Sequence, residues 1–150
     1  MTIRPVLRHH RRDLLEIMAL RATETQHPQS LTTLDAYLAH DVYTPGTHIW
    51  AHYQENGAVL GFIKLRRQAA TWRVKSLFVA PHVRQQGIAR QLVHAAANAV
   101  CQRGGDTVEW CPPAIPMPEG FISAWPRPHC GADGMCRYDR SQLDALAFLP

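Results

Sequence analysis

Three observations predict an α+β domain of three layers, with helices on both faces of a mixed, mostly antiparallel central sheet. Segments of strand period at 47–53, 59–66 and 72–79 follow one another with turn residues between them. A long helix-period segment at 87–103 then separates the third of these from a further strand at 106–111. That spacing implies a right-handed crossover between parallel neighbours. Finally, 150 residues, 46% of them apolar and 19% charged, suit one domain spanning residues 1–150. A chain of that size buries roughly 70% of its unfolded surface without staples.

The elements follow in order. Ile3–Leu7 reads as an opening strand, and Pro5 places it at a sheet edge. Between Arg11 and Glu24, apolar residues Leu14, Leu15, Ile17, Met18 and Leu20 recur at helical spacing, and Pro28 ends that element. Ser30 or Thr32 caps a second helix running to His40, with Leu31, Leu34, Tyr37 and Leu38 expected to face inward. Pro45-Gly46 turns the chain into a three-strand meander, Thr47–Tyr53, Val59–Arg66 and Trp72–Val79, whose first connection carries the hairpin signal Asn56-Gly57. Gly87–Arg103 presents Ile88, Leu92, Ala96 and Val100 as one stripe and stops at Gly104-Gly105. Asp106–Cys111 is the parallel strand. Six prolines between Pro112 and Pro128 keep regular structure there brief, with one or two helical turns at Glu119–Trp125. Met135–Arg140 reads as a strand, and Leu143–Leu149 as a final helix or strand.

Composition narrows the function. The net charge of +4, with fourteen of the sixteen basic residues arginine, does not demand a nucleic-acid partner. The cluster Arg4, Arg8, Arg11 and Arg12 with His9 and His10 reads as a solvated helix start, and Lys64, Arg66, Arg67, Arg73 and Lys75 as a solvent face. No apolar run approaches the ~20 residues needed to span a bilayer, and the first residues lack an export signal, so a cytoplasmic protein with no membrane partner is expected. In that setting Cys101, Cys111, Cys130 and Cys136 are expected to be idle thiols rather than a disulfide framework. His129, Cys130 and Cys136 have metal-ligating chemistry, but a second close cysteine pair is missing and no metal is expected.

Chemistry concentrates where the third meander strand meets the long helix. Leu77-Phe78-Val79-Ala80-Pro81 runs into a polar loop, then a helix whose first turn holds Gly87. A helix start collects amides without partners and the positive end of the dipole. Gly87 and Ala89 keep side chains out of an anion's way, and Arg84 and Arg90 bracket the turn. The residues alone therefore propose an anion site over 84–90.

This stretch resembles the acyl-CoA-binding motif of the GNAT N-acetyltransferase superfamily, Arg/Gln-x-x-Gly-x-Gly/Ala, here Arg84-Gln85-Gln86-Gly87-Ile88-Ala89. The family's upstream Val-x-Pro is matched by Val79-Ala80-Pro81, and the element order agrees over residues 1–111. The resemblance implies a GNAT-like fold and transfer of an acetyl group from acetyl-CoA, as co-substrate, to a primary amine of a small molecule or peptide. It implies that Gln85, Gln86, Gly87, Ile88, Ala89 and Arg90 hold the CoA pyrophosphate through their amides. Leu77, Phe78 and Val79, beside the family's strand bulge, would pair with the pantetheine arm. The last would also polarise the thioester carbonyl. A homodimer is in keeping with the family.

The chain departs from the family in its acid and base. Many members carry a Glu where Lys75 stands, and a Tyr in the helix after the fifth strand, where this chain has Phe121 and Trp125. Glu109, Ser123 and Tyr138 are the catalytic candidates, with His129 a further proton donor. Glu24 and His27 end the first helix, near where acceptors enter this fold, while His48, His52 and Glu55 on or beside the first meander strand read as surface residues. The Pro-rich segment 112–150 is expected to wall the acceptor site. The missing Glu and Tyr leave an alternative, a non-catalytic module that senses acyl-CoA.

Overall fold

A computed structural model describes residues 2–111 and 126–147. Strand β1 (Thr2–Pro5) pairs antiparallel with β2 (Thr47–Tyr53) at one edge of a seven-stranded sheet. Pro5 thus sits on an edge strand, although the strand ends two residues earlier than predicted. The first helix begins late as well. Residues Arg8–Leu14 form 3-10 turns, and α1 runs Leu15–Glu24. No side chain caps the entry at Leu7 and no acidic residue lies in the first turn. His9, His10 and Arg11 there oppose the positive end of a helix dipole. Helix α2 (Leu31–Tyr43) starts at Ser30, whose Oγ accepts from the Thr33 amide at 3.2 Å. It buries Leu34 and Leu38, but Leu31 and Tyr37 are exposed, contrary to expectation.

The meander continues through β3 (Val59–Gln68) and β4 (Thr71–Val79). Helix α3 (Ile88–Gln102) crosses to β5 (Thr107–Trp110), which pairs parallel with β4. Beyond it a hairpin of β6 (His129–Cys130) and β7 (Cys136–Asp139) completes the sheet in the order β1-β2-β3-β4-β5-β7-β6. Helix α4 (Arg140–Ala147) settles the final segment as a helix. The segment read as helical turns at 119–125, with Phe121, Ser123 and Trp125, lies outside the described residues.

Two cores flank the sheet. Trp50, Ile63, Leu65, Trp72, Val108, Trp110 and Tyr138 pack under α3 and α4, with Leu92, Val100, Leu143 and Leu146 of those helices. Ile49, Ala51, Phe62 and Phe78 pack on the other face with Leu14, Ile17 and Leu38 from the α1 and α2 side. At Gly105 a Cβ would stand 2.7 Å from Trp72 Nε1 and within the Val100 side chain, so only glycine lets α3 return to β5 this closely.

The expectation of idle thiols is corrected for one pair. Cys130 and Cys136 are joined by a disulfide, because the β6–β7 register places them opposite one another. Cys101 and Cys111 are free. Among the described residues no three His, Cys, Asp or Glu side chains are grouped to hold a metal ion, and no helix is long and apolar enough to cross a membrane.

Candidate functional site

The site is built by the way β4 leaves β5. Parallel pairing covers only Thr71, Trp72 and Arg73 against Thr107, Val108 and Glu109. Among the described residues strand β4 then continues to Val79 without a partner on that side, leaving roughly 17 Å of open edge between Val74 and Val79 at ~3.3 Å per residue. A bulge marks the departure: Leu65 faces Val74 and Lys64 faces Ser76, so Lys75 is an extra residue opposite β3. The Ala80 amide donates to the Leu60 carbonyl at 2.8 Å. Alternation along an antiparallel ladder therefore turns the polar groups of Phe78 and Ser76 toward β3, and those of Leu77 and Val79 toward the open edge. Phe78 instead contributes its ring, buried on the α1 and α2 face.

The edge leads into the loop before α3. Pro81–Val83 forms one 3-10 turn, after which Gln85 and Gly87 both take positive φ, +64° and +82°. Such alternation turns successive amides toward one side and makes a concave anion cradle. The first helical bond is donated by Gln91 to the Gly87 carbonyl, so the amides of Ile88, Ala89 and Arg90 have no partner within the helix. Among the described residues a Cβ at Gly87 would meet nothing within 4 Å, which leaves space above this backbone. The residues present thus fit a phosphate held by main-chain amides. Arg90 is exposed and makes no ion pair among the described residues.

Arg84 is placed differently. Its guanidinium binds both oxygens of Glu24 at 2.8 and 2.7 Å, donates through Nε to the Val79 carbonyl at 3.0 Å, and lies 5.3 Å from the Phe78 ring centre. It is a strut between the end of α1, the end of β4 and the loop. The pair is not visible in the sequence, since sixty residues separate its members.

The other predicted residues are scattered. Glu109 is buried on β5, with Oε1 accepting from Arg73 Nε and Nη2 at 2.8 and 2.6 Å and Oε2 accepting from Arg137 Nε at 3.3 Å. It cross-links three strands just where β4 and β5 last pair. Tyr138 is buried on the α3 and α4 face against Trp110, ring centres 4.9 Å apart, and burial pushes its phenol up to about 12. Ser123 lies outside the described residues. His129 is exposed and 3.5 Å from Asp139.

Of the two strand histidines His52 is buried and His48 half-buried, and both lie on β2, two strands from the open edge. His52 is buried with Nδ1 unpartnered, and the His48 ring lies tilted against Trp72, centres 4.8 Å apart. Desolvation lowers the pKa of each, assisted at His48 by Arg103 and Arg67 and opposed at His52 by a hydrogen bond with Gln91. Glu55 and His27 are exposed.

A strand that parts from its parallel neighbour and runs into an amide-lined helix start is the architecture of an acyl-CoA-dependent acyltransferase. The chain belongs to the Acetyltransferase (GNAT) family, whose pattern it matches over residues 12–119. Solved structures agree in fold. PaiA N-acetyltransferase from Thermoplasma acidophilum in complex with coenzyme A superposes with a TM-score of 0.66 at 10% identity, over 93% of this chain and 99% of that one. An aminoglycoside 6'-acetyltransferase type Ii gives 0.68 at 18% identity, over 93% and 97%. An aminoglycoside 6'-N-acetyltransferase complexed with coenzyme A gives 0.67 at 16%, over the same shares. No curated protein sequence matches the chain.

Proposed function

We propose that the protein transfers the acetyl group of acetyl-CoA to the primary amine of a small molecule or peptide, by direct attack within a ternary complex. The observation that carries this reading is the continuity of the open β4 edge with the cradle of Gln85–Arg90. One surface can receive an extended amide-containing arm and then a pyrophosphate. The amides of Ile88, Ala89 and Arg90, with those of Gln85, Gln86 and Gly87, hold the phosphates, and the Arg90 side chain adds charge. Arg84 keeps the loop in place. Leu77 and Val79 pair with the pantetheine.

The sequence resemblance puts the polarising amide at Val79, but Val79 adjoins the loop and its carbonyl already accepts from Arg84. The thioester, at the far end of the arm from the pyrophosphate, lies nearer the amide of Leu77. That preorganised N–H stabilises the developing oxyanion, and holding amine and thioester together supplies much of the rate. Tyr138, under the parting strands with its phenol protonated throughout the neutral range, is the proton donor this reading favours for the thiolate. Glu109 serves as a brace.

A second reading, an acyl-CoA sensor without turnover, is favoured by two observations. Lys75 occupies the bulge, and both oxygens of Glu109 are held by arginines. Calorimetric titration with acetyl-CoA, using desulfo-CoA and ATP as controls, tests both at the first step. Binding of the CoA ligands but not ATP is expected, and the absence of heat and of thermal stabilisation overturns both. Binding with no thiol release across a panel of amines decides for the sensor.

A further inference from the structure

We infer that the acceptor is a primary amine that also carries an anionic group, a carboxylate or a phosphate, held by cations that cross the sheet where β4 and β5 part. The inference rests on the acyltransferase reading above and names the class of its acceptor. Strand pairing sets Arg66 beside Arg73, Arg73 beside Glu109, Glu109 beside Arg137, and Arg137 beside His129. Residues paired across strands share a face. The neighbouring strands β3-β4-β5-β7-β6 therefore present one row, roughly 19 Å long at ~4.8 Å per strand. Val108, Trp110 and Tyr138 alternate with it and pack on the α3 and α4 side, so the row lies on the opposite face.

Charge balance and position set this row apart from a solvated surface. Its one carboxylate, Glu109, is shared by Arg73 and Arg137, while Asp41, Asp133 and Asp139 beside it take Lys64, Arg137 and His129. Arg66 and Lys75 are exposed and make no ion pair among the described residues. Like charges set directly opposite one another are destabilising, yet Arg66 stands opposite Arg73, whose Nε and Nη2 are turned to Glu109. An anion between them removes that cost. The row is also the last rung that β4 and β5 share, and Lys75 follows it in the bulge. With the thioester at the Leu77 amide, Lys75 stands two residues further on, roughly 7 Å of strand, and Arg73 two beyond that. Val74, Trp110 and Tyr138 pack on the α3 and α4 side at this point, so the acceptor comes to the thioester from the face that carries the cations.

The same field acts on the amine itself. A neighbouring like charge disfavours an ammonium ion, so the cations that hold the anionic group also favour the neutral, attacking form of the nitrogen. That nitrogen attacks the thioester carbonyl, an N–C bond forms and the C–S bond breaks. The proton lost by the amine is balanced by the proton gained by the departing CoA thiolate. A polycationic amine is repelled by this face.

The test measures thiol release from acetyl-CoA by the full chain on three matched pairs, each compared per neutral amine. They are β-alanine against β-alaninamide, 2-aminoethyl phosphate against ethanolamine, and the amidated peptide Ala-Glu-Glu against Ala-Gln-Gln. In at least one pair the anionic member is expected to be preferred about tenfold in kcat/KM, the worth of one hydrogen bond to a charged group. The pair that responds tells carboxylate from phosphate, and the preference should shrink as salt is raised. In the double variant Lys75→Met with Arg66→Gln the preference should fall to twofold or less, through KM, while CoA affinity by calorimetry stays within twofold. A preference below twofold in every pair, with thiol released, overturns the anionic acceptor and leaves the acyltransferase reading intact. A preference that the double variant keeps overturns its assignment to Lys75 and Arg66. Binding of CoA with no thiol release from any member overturns the inference and decides for the sensor. Failure to bind CoA overturns the underlying reading and the acceptor class with it.

Discussion

The two ends of β4 are built to opposite purposes. At its start, Thr71–Arg73 has neighbours on both sides, Trp72 is fully buried, and Arg73 is tied through Glu109 to Arg137 across three strands. At its end, Leu77–Val79 pairs with β3 alone among the described residues, and of its outward polar groups the Val79 carbonyl is held by Arg84. Backbone groups at a sheet centre are normally all paired. An unpaired stretch in the middle of a seven-stranded sheet therefore implies either a cost or a ligand. The bulge at Lys75 separates a half that holds the fold from a half that can hold a substrate. The difference teaches that one strand can be structural and chemical at once, provided its neighbour stops after three pairs.

The largest expected effect is on the structural end. Trp72→Ala removes a side chain with no exposed surface from the junction of β4, β5, Gly105 and the His48 ring. It should cost about 3–5 kcal/mol, read as a large fall in the urea midpoint. A loss below 1 kcal/mol breaks the contrast between the ends. At the chemical end, Gly87→Glu sets a carboxylate in the phosphate cradle at a residue with φ of +82°. CoA affinity should fall at least 100-fold, about 2.7 kcal/mol, while far-UV circular dichroism stays at the parental level. Unchanged CoA binding in this variant means that the loop is not a phosphate site.

The turn that follows β4 was more legible in the sequence than the contacts at the strand's start. Gly87 answers a local backbone demand, a φ of +82° at the start of α3, and local demands are what a sequence displays. The meander, α3 and the β5 crossover were legible for the same reason, being periodic. The Arg84–Glu24 strut and the arginine brace on Glu109 join residues whose proximity only the assembled sheet creates, whereas the Cys130–Cys136 disulfide closes a local hairpin over a separation of six residues. Periodicity also misled at α2, where Leu31 and Tyr37 were expected to face inward but are exposed. His52 shows the converse, a polar residue buried beside α3 that no local pattern marks.

Glu109→Gln tests whether the brace is structure or chemistry. The substitution keeps the shape and removes the charge shared by Arg73 and Arg137, both more than a third exposed. Solvent screening limits the expected loss to about 1–2 kcal/mol. Melting should drop by about 2–8 °C, with CoA affinity held within twofold. If stability is instead unchanged and thiol release on an accepted amine collapses, Glu109 acts on substrate and belongs to the chemical end.

The smallest effect separates two roles for Arg84. As a strut, its guanidinium is spent on Glu24 and the Val79 carbonyl; as a phosphate ligand, it would have to leave them. Glu24→Gln weakens the tie at a site where both partners are 41% exposed, so stability should change by less than ~1 kcal/mol. The two roles predict opposite signs for CoA binding. A strut that loosens lets residues 84–87 relax from their positive-φ conformation, and affinity falls about two- to fivefold. A ligand released from its competitor turns toward the phosphates, and affinity rises. The bidentate contact, together with the Nε bond to Val79, anchors Arg84 at three points before any phosphate arrives. A fall is therefore expected, strongest at low salt, where the tie between Arg84 and Glu24 is least screened.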